Sequence, residues 1–159
     1  MEDLRALYEK LGLKNIVIYI QSGNVIFQTG DLPEPDLVEF LEDAIEKKFG
    51  FHVPVLIRSF QELSLIQQSN PFLDDPGVDI KRLYVTFLEK TPLESLIKSL
   101  SEIGPSPERF ELINREVFLY CPMGYGRTRL SNNFFENRLK LKATTRNWNT
   151  VCTLVDIAR

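Results

Sequence analysis

The chain has 159 residues, 43% of them apolar and 11% aromatic, enough for one sizeable core or two small ones and too many for a disordered chain. No apolar run approaches the roughly 18 to 20 residues of a membrane helix, and the acidic start MEDLRALYEKLG has no signal-peptide character. The expected location is therefore cytoplasmic, with no membrane as partner. A formal net charge of -3 conceals an asymmetry: residues 1–80 carry 6 Lys and Arg against 14 Asp and Glu, while residues 81–159 carry 13 against 8.

Leu4, Leu7, Tyr8 and Leu11 recur at helical spacing and Gly12 follows, which predicts an opening helix with a glycine stop. NIVIYI and NVIFQ are β-rich runs joined through QSG, a hairpin signature. PDLVEFLEDAIEKKFG aligns Leu37, Leu41, Ala44 and Ile45 on one helical stripe before another glycine. VPVLIR reads as a strand, and Ser59 with Glu62 forms a capping box for a short helix that ends at Asn70-Pro71. After the acidic, turn-rich PFLDDPGVDI the order begins again. KRLYVTFL predicts a strand, and TPLESLIKSL a helix capped by Thr91 with Pro92 at its first position. RFELIN and EVFLYC form a hairpin about Asn114-Arg115. SNNFFENRL is a short helix, ATTRNW is extended, and TVCTLVDIA is a helix capped by Thr150.

The two halves, residues 1–72 and 80–159, repeat one order of elements, with corresponding elements starting about 90 to 96 residues apart. This predicts an α+β protein of two tandem ferredoxin-like halves, each a split βαβ unit or α/β plait, the first lacking its opening strand. That strand is central to such a sheet, so its absence predicts an unstable or strand-borrowing first half.

Four spaced motifs, YIQSGNVIF, NPF, CPMGYGRTRLSNNFFENRL and ATTRNWNTV, together resemble the bacterial domain of unknown function 1697 family over nearly the whole chain. The resemblance implies two ferredoxin-like halves and assigns no reaction. Members usually open with a strand carrying an LLRGINVGG-like stretch, from which this sequence departs by starting in the following helix.

Chemistry-bearing residues concentrate near the end. Between Tyr125 and Thr150 stand Arg127, Arg129, Arg138, Lys140, Lys142 and Arg146 against Glu136 alone, a segment that attracts anions if its side chains converge. In GYGRTRLSNN, Gly124 and Gly126 flank Tyr125 just before a helix start at Ser131 and Asn132. Glycine-freed amides and a helix N-terminus are the ingredients of an anion site, which Arg127 and Arg129 would complete. The same spacing also suits a plain turn with Ser131 as cap. In TTRNWNT, Asn147 and Asn149 suit local backbone bonds, while Arg146 beside Trp148 suits a stacked, charged ligand. If both loops meet, Tyr125 and Trp148 would wall a pocket surrounded by Arg127, Arg129 and Arg146, fit for a nucleotide or single-stranded nucleic acid. Ser22 and Asn24 in QSGN suit a hairpin turn and are weaker ligand-binding candidates.

No cofactor or catalytic residue is indicated. The only histidine, His52, has no acidic or cysteine partner at useful spacing, and Cys121 and Cys152 lack metal or disulfide spacing, so no metal is expected. Without a GxSxG elbow, a hydrolytic triad lacks parts. The function read from the residues is a binder of a phosphate-bearing ligand. Two alternatives stay open: an enzyme on a small anionic substrate, and a protein-interaction module using the acidic first half.

Overall fold

The computed structural model describes residues 2–19, 23–104 and 106–159. It is an α+β chain that divides into two compact units, Met1–Ile57 with Ile157–Arg159, and Arg58–Asp156. Among the described residues no helix is long and apolar enough to cross a membrane.

The first unit begins with helix α1 (Glu2–Lys10), followed by antiparallel strands β1 (Lys14–Tyr19) and β2 (Asn24–Gln28) and helix α2 (Glu34–Phe49). α2 buries the expected Leu37, Leu41 and Ile45 and stops at Gly50, whose φ of 83° is the left-handed conformation that glycine adopts without a Cβ clash. These residues join Tyr8, Leu13 and Ile16 in one apolar cluster. The strand expected over VPVLIR does not form. Val53, Val55 and Ile57 do alternate toward the cluster, as a strand would. The Val55 N–H, however, donates 2.8 Å to the Glu42 carboxylate rather than to a neighbouring strand. The pattern was correct and the pairing was not, because apolar alternation specifies a buried side and not a ladder partner.

In the second unit Ser59 and Glu62 make the reciprocal capping box at the start of α3 (Phe60–Gln68). Strands β3 (Leu83–Leu88), β4 (Arg109–Ile113), β5 (Glu116–Tyr120) and β6 (Ala143–Asn147) form an antiparallel sheet in the order β4-β5-β3-β6. β4 and β5 turn at Asn114, which holds φ 56°. One face of this sheet carries Leu88, Val117, Leu119 and Cys121, which pack with Phe135 and Leu139 of helix α5 (Asn132–Leu139).

Two helix starts depart from expectation. TPLESLIKSL yields only a four-residue helix α4 (Glu94–Ile97) and a 3-10 turn over Lys98–Glu102, with Leu93 rather than Thr91 at the N-cap. The hydroxyls of Ser99 and Ser101 bond back to the carbonyls of Leu96 and Lys98, three residues earlier, and so compete with a continuing α-helix. The final helix α6 spans Trp148–Ala158, three residues earlier than a Thr150 cap would start it. The Thr150 N–H donates 2.8 Å to Asn147 Oδ1, so Asn147 is the cap and Thr150 lies buried inside the first turn.

Candidate functional site

The glycine-rich turn is stabilised by its own groups. Gly124, at φ 88°, leads into a 3-10 turn over Tyr125–Arg127, and the Tyr125 ring tilts against Tyr84 at 5.3 Å between centroids. Its hydroxyl accepts from the Asn132 N–H at 3.0 Å and donates to Thr145 Oγ1 at 3.2 Å. Thr145 in turn donates to Asn132 Oδ1, and Thr86 meets Thr145 at 2.7 Å. Ser131 caps α5 by accepting from the Phe134 N–H at 3.2 Å. Two of the first amides of α5 thus already have protein acceptors, a physical argument against a phosphate seated on that helix end.

The two basic loops do not form one pocket. β3 pairs Val85 with Arg146 and Thr86 with Thr145. Successive strand residues point to opposite faces, so Arg146 lies on the other face from the Tyr125–Thr145–Asn132 network. Arg146 is half-buried, which lowers its guanidinium pKa, and it donates to Thr144 Oγ1 at 2.7 Å and to the Thr145 carbonyl at 2.9 Å. Trp148 is only 5% exposed and makes no ring contact with Tyr125, so it offers no open stacking face. Asn149 is exposed, and its carbonyl accepts from Thr153. Asn24 donates 3.2 Å to the Tyr19 carbonyl within the first hairpin. Ser22 lies outside the described residues. Gly126 and Arg127 are exposed, and neither lines the cleft beside Arg129.

Arg129 lines a cleft. A cleft of about 410 Å³ opens in the second unit, with Phe72, Leu100, Phe110 and Leu130 supplying apolar surface and Glu108, Arg109 and Arg129 supplying charge. The Arg129 side chain is 60% exposed and its Nε stands 3.9 Å from Glu108 Oε1, a loose pair. Arg109 is held far more firmly. Its guanidinium lies 5.2 Å from the Phe72 ring centroid and 5.3 Å from that of Tyr120, and it donates 2.9 Å to Asp75. The Gly77 amide and then Arg109 hold the Asp75 carboxyl below its ordinary pKa, which keeps the partner charged. Glu108 accepts from the Thr128 hydroxyl in a short hydrogen bond and, at 3.4 Å, from the Arg129 N–H. Phe72, Glu108 and Arg109 were not singled out from the sequence as ligand-binding residues. Phe72 stood inside the NPF motif, but nothing local marks Arg109, whose aromatic partners lie 37 residues before it and 11 after.

Among the described residues no group of three His, Cys, Asp or Glu could hold a metal ion, and both cysteines are free thiols. Burial pushes the Cys121 thiol above its ordinary pKa, which makes it a poor nucleophile.

A solved structure of the conserved bacterial protein SP0830 from Streptococcus pneumoniae is similar to the whole chain, with a TM-score of 0.78 at 21% identity, covering 100% of this chain and 88% of that one. That likeness concerns the fold. No curated protein matches. The family described as Protein of unknown function (DUF1697) matches residues 1–118, most of the chain, and the chain belongs to it.

Proposed function

We propose that this chain binds a small phosphate-bearing ligand, a nucleotide, in the cleft of its second unit, with Arg129 as the mobile anion-binding group and Arg109 as a fixed cation beside it. The observation that carries this reading is the loosely held Arg129 guanidinium on an apolar cleft of about 410 Å³, within the size range of small-molecule sites. An arginine fork matches phosphate oxygens, and the partly exposed Phe110 supplies apolar surface for a base. A concave site of this size favours a nucleotide over a nucleic-acid strand, which needs an extended basic face.

The strand order β4-β5-β3-β6 supports reading residues 80–159 as a ferredoxin-like half and residues 1–72 as its partial counterpart. A nucleotide ligand also fits a cytoplasmic home.

Calorimetric titration with ATP, ADP, AMP and pyrophosphate tests the reading. Arg129→Ala should weaken binding at least tenfold, since hydrogen bonds to charged groups contribute about 1.5–3 kcal/mol. Arg127→Ala should leave it within about twofold, an order-of-magnitude allowance for a surface charge. Absence of binding at millimolar concentration by the parent, or equal loss in both variants, overturns it.

A further inference from the structure

The two units place the same elements in the same order, and a position filled in the second is open in the first. α4, β4, β5, α5 and β6 of the second unit correspond to α1, β1, β2, α2 and the extended residues 53–57 of the first. In the second unit β3 lies between β5 and β6, antiparallel to both. It pairs from Leu83–Tyr120 to Phe87–Glu116 on one side and from Tyr84–Asn147 to Leu88–Ala143 on the other. Among the described residues of the first unit, β1 is the only strand paired with β2, and Val53 and Val55 belong to no sheet. Burial registers the difference. The second and fourth residues of β2 and β5 face the helices: Val25 and Phe27 in β2, Val117 and Leu119 in β5. Val117 and Leu119, beside β3, are fully buried, whereas Val25 and Phe27 are half-buried, as are Val53 and Val55.

The backbone agrees. The Leu88 N–H donates to the Arg115 carbonyl and the Cys121 N–H to the Arg82 carbonyl, so the odd-numbered residues of β5 turn their backbone groups toward β3. By the same correspondence Val25 and Phe27 turn theirs toward the open edge of β2. Unpaired backbone beside a partly covered apolar layer is what an added strand completes. We infer that the first unit is a strand-accepting site: it binds an extended peptide segment with basic ends, antiparallel to β2, between β2 and residues 53–57. Alternate side chains of that segment are apolar, since they cover the cluster of Leu37, Leu41 and Ile45. The intervening ones can carry hydroxyls, because the other face of β1 and β2 leaves Val17 39% exposed and Ile26 half-buried. Basic ends follow from charge: residues 1–57 carry 5 Lys and Arg against 10 Asp and Glu.

Amide hydrogen exchange on the whole chain, with the synthetic peptide KVTVTVK as probe, tests this. Without peptide the Val25 and Phe27 amides should exchange rapidly. Millimolar KVTVTVK should slow them roughly tenfold or more and raise the melting temperature, leaving the amides of β3 to β6 unchanged. The control KVTPTVK, whose central proline has no N–H to give a ladder, should do neither. Four results overturn the inference. The first is no protection by KVTVTVK at millimolar concentration. The second is equal protection by the proline peptide, which marks unspecific adsorption. In the third, protection appears only at the edges of the second sheet. In the fourth, Val25 and Phe27 are already protected without peptide; protection that then rises with protein concentration assigns the edge to a second copy of this chain.

Discussion

Arg58 Nε donates to the Glu116 carboxylate across 2.8 Å, with 7% and 9% of the two side chains exposed. The same guanidinium donates to the carbonyls of Leu88 at 2.7 Å and Arg115 at 3.1 Å and lies 5.4 Å from the Phe87 ring centroid. One side chain thus ties the end of β3 to the β4–β5 turn. Removing either partner leaves a buried charge uncompensated, so Glu116→Ala should destabilise by about 3–5 kcal/mol, whereas Arg58→Met with Glu116→Leu should recover most of that loss. Urea denaturation of the single and double variants measures the difference. Equal loss in the double and single variants would refute it.

Glu62 gives the acid side of the stability profile a definite sign. Burial alone raises its pKa, but the Ser59 N–H and the Arg115 guanidinium at 2.7 Å outweigh burial and hold the carboxyl below its ordinary 4.5. A depressed folded pKa contributes stability that is present above the unfolded value and lost as pH falls through the folded one. Glu116 has the opposite sign, its pKa raised chiefly by burial. Glu62→Gln, which can still serve the capping box, should therefore flatten the decline in stability below about pH 4.5 relative to the parent. Denaturant melts between about pH 3 and 7 bracket that window and test the slope.

Asn147→Ala should cost about 1 kcal/mol by leaving the Thr150 N–H without its acceptor, and Thr150→Val, which removes the hydroxyl and keeps the shape, should cost no cap. Thermal melts decide between the two caps. If Thr150→Val instead destabilises the chain more than Asn147→Ala does, the assignment of the cap to Asn147 is wrong.

Gly124→Ala tests the turn before Tyr125. At φ 88° an added Cβ is strained, and it would stand 3.0 Å from Arg82 Nη1. The expected loss is about 1–2 kcal/mol, and Gly126→Ala, with no atom within 4 Å of its Cβ, should cost little.

The caps and turns that the sequence made legible are local. Ser59 with Glu62, Ser131 before α5, Gly50 after α2 and the Asn114 hairpin all act within four residues, where chain connectivity fixes the geometry. What was not legible depended on a distant partner. Glu42 meets Val55 from 13 residues away, and Arg109 takes Asp75 from 34 residues away. The cap of α6 failed for a subtler reason: Asn147 and Thr150 are both good cap residues, and strand pairing as far as Tyr84–Asn147 decided where β6 ends and the helix begins. For the same reason the arginines of the basic segment could be counted but not assigned to faces, since a strand sends its neighbours to opposite sides.

The arrangement around Arg109 creates an inequality between the two arginines of the cleft. Arg109 lies between Phe72 and Tyr120 and is paired with Asp75, so in the proposed site it has fewer rotamers left to lose than Arg129. Arg129, exposed and loosely paired, must still be ordered by whatever it binds, at roughly 0.5–1.5 kcal/mol. A cation fixed beforehand also keeps its field at full strength during the approach of an anion. Capture rate should therefore follow Arg109, and residence time should follow Arg129.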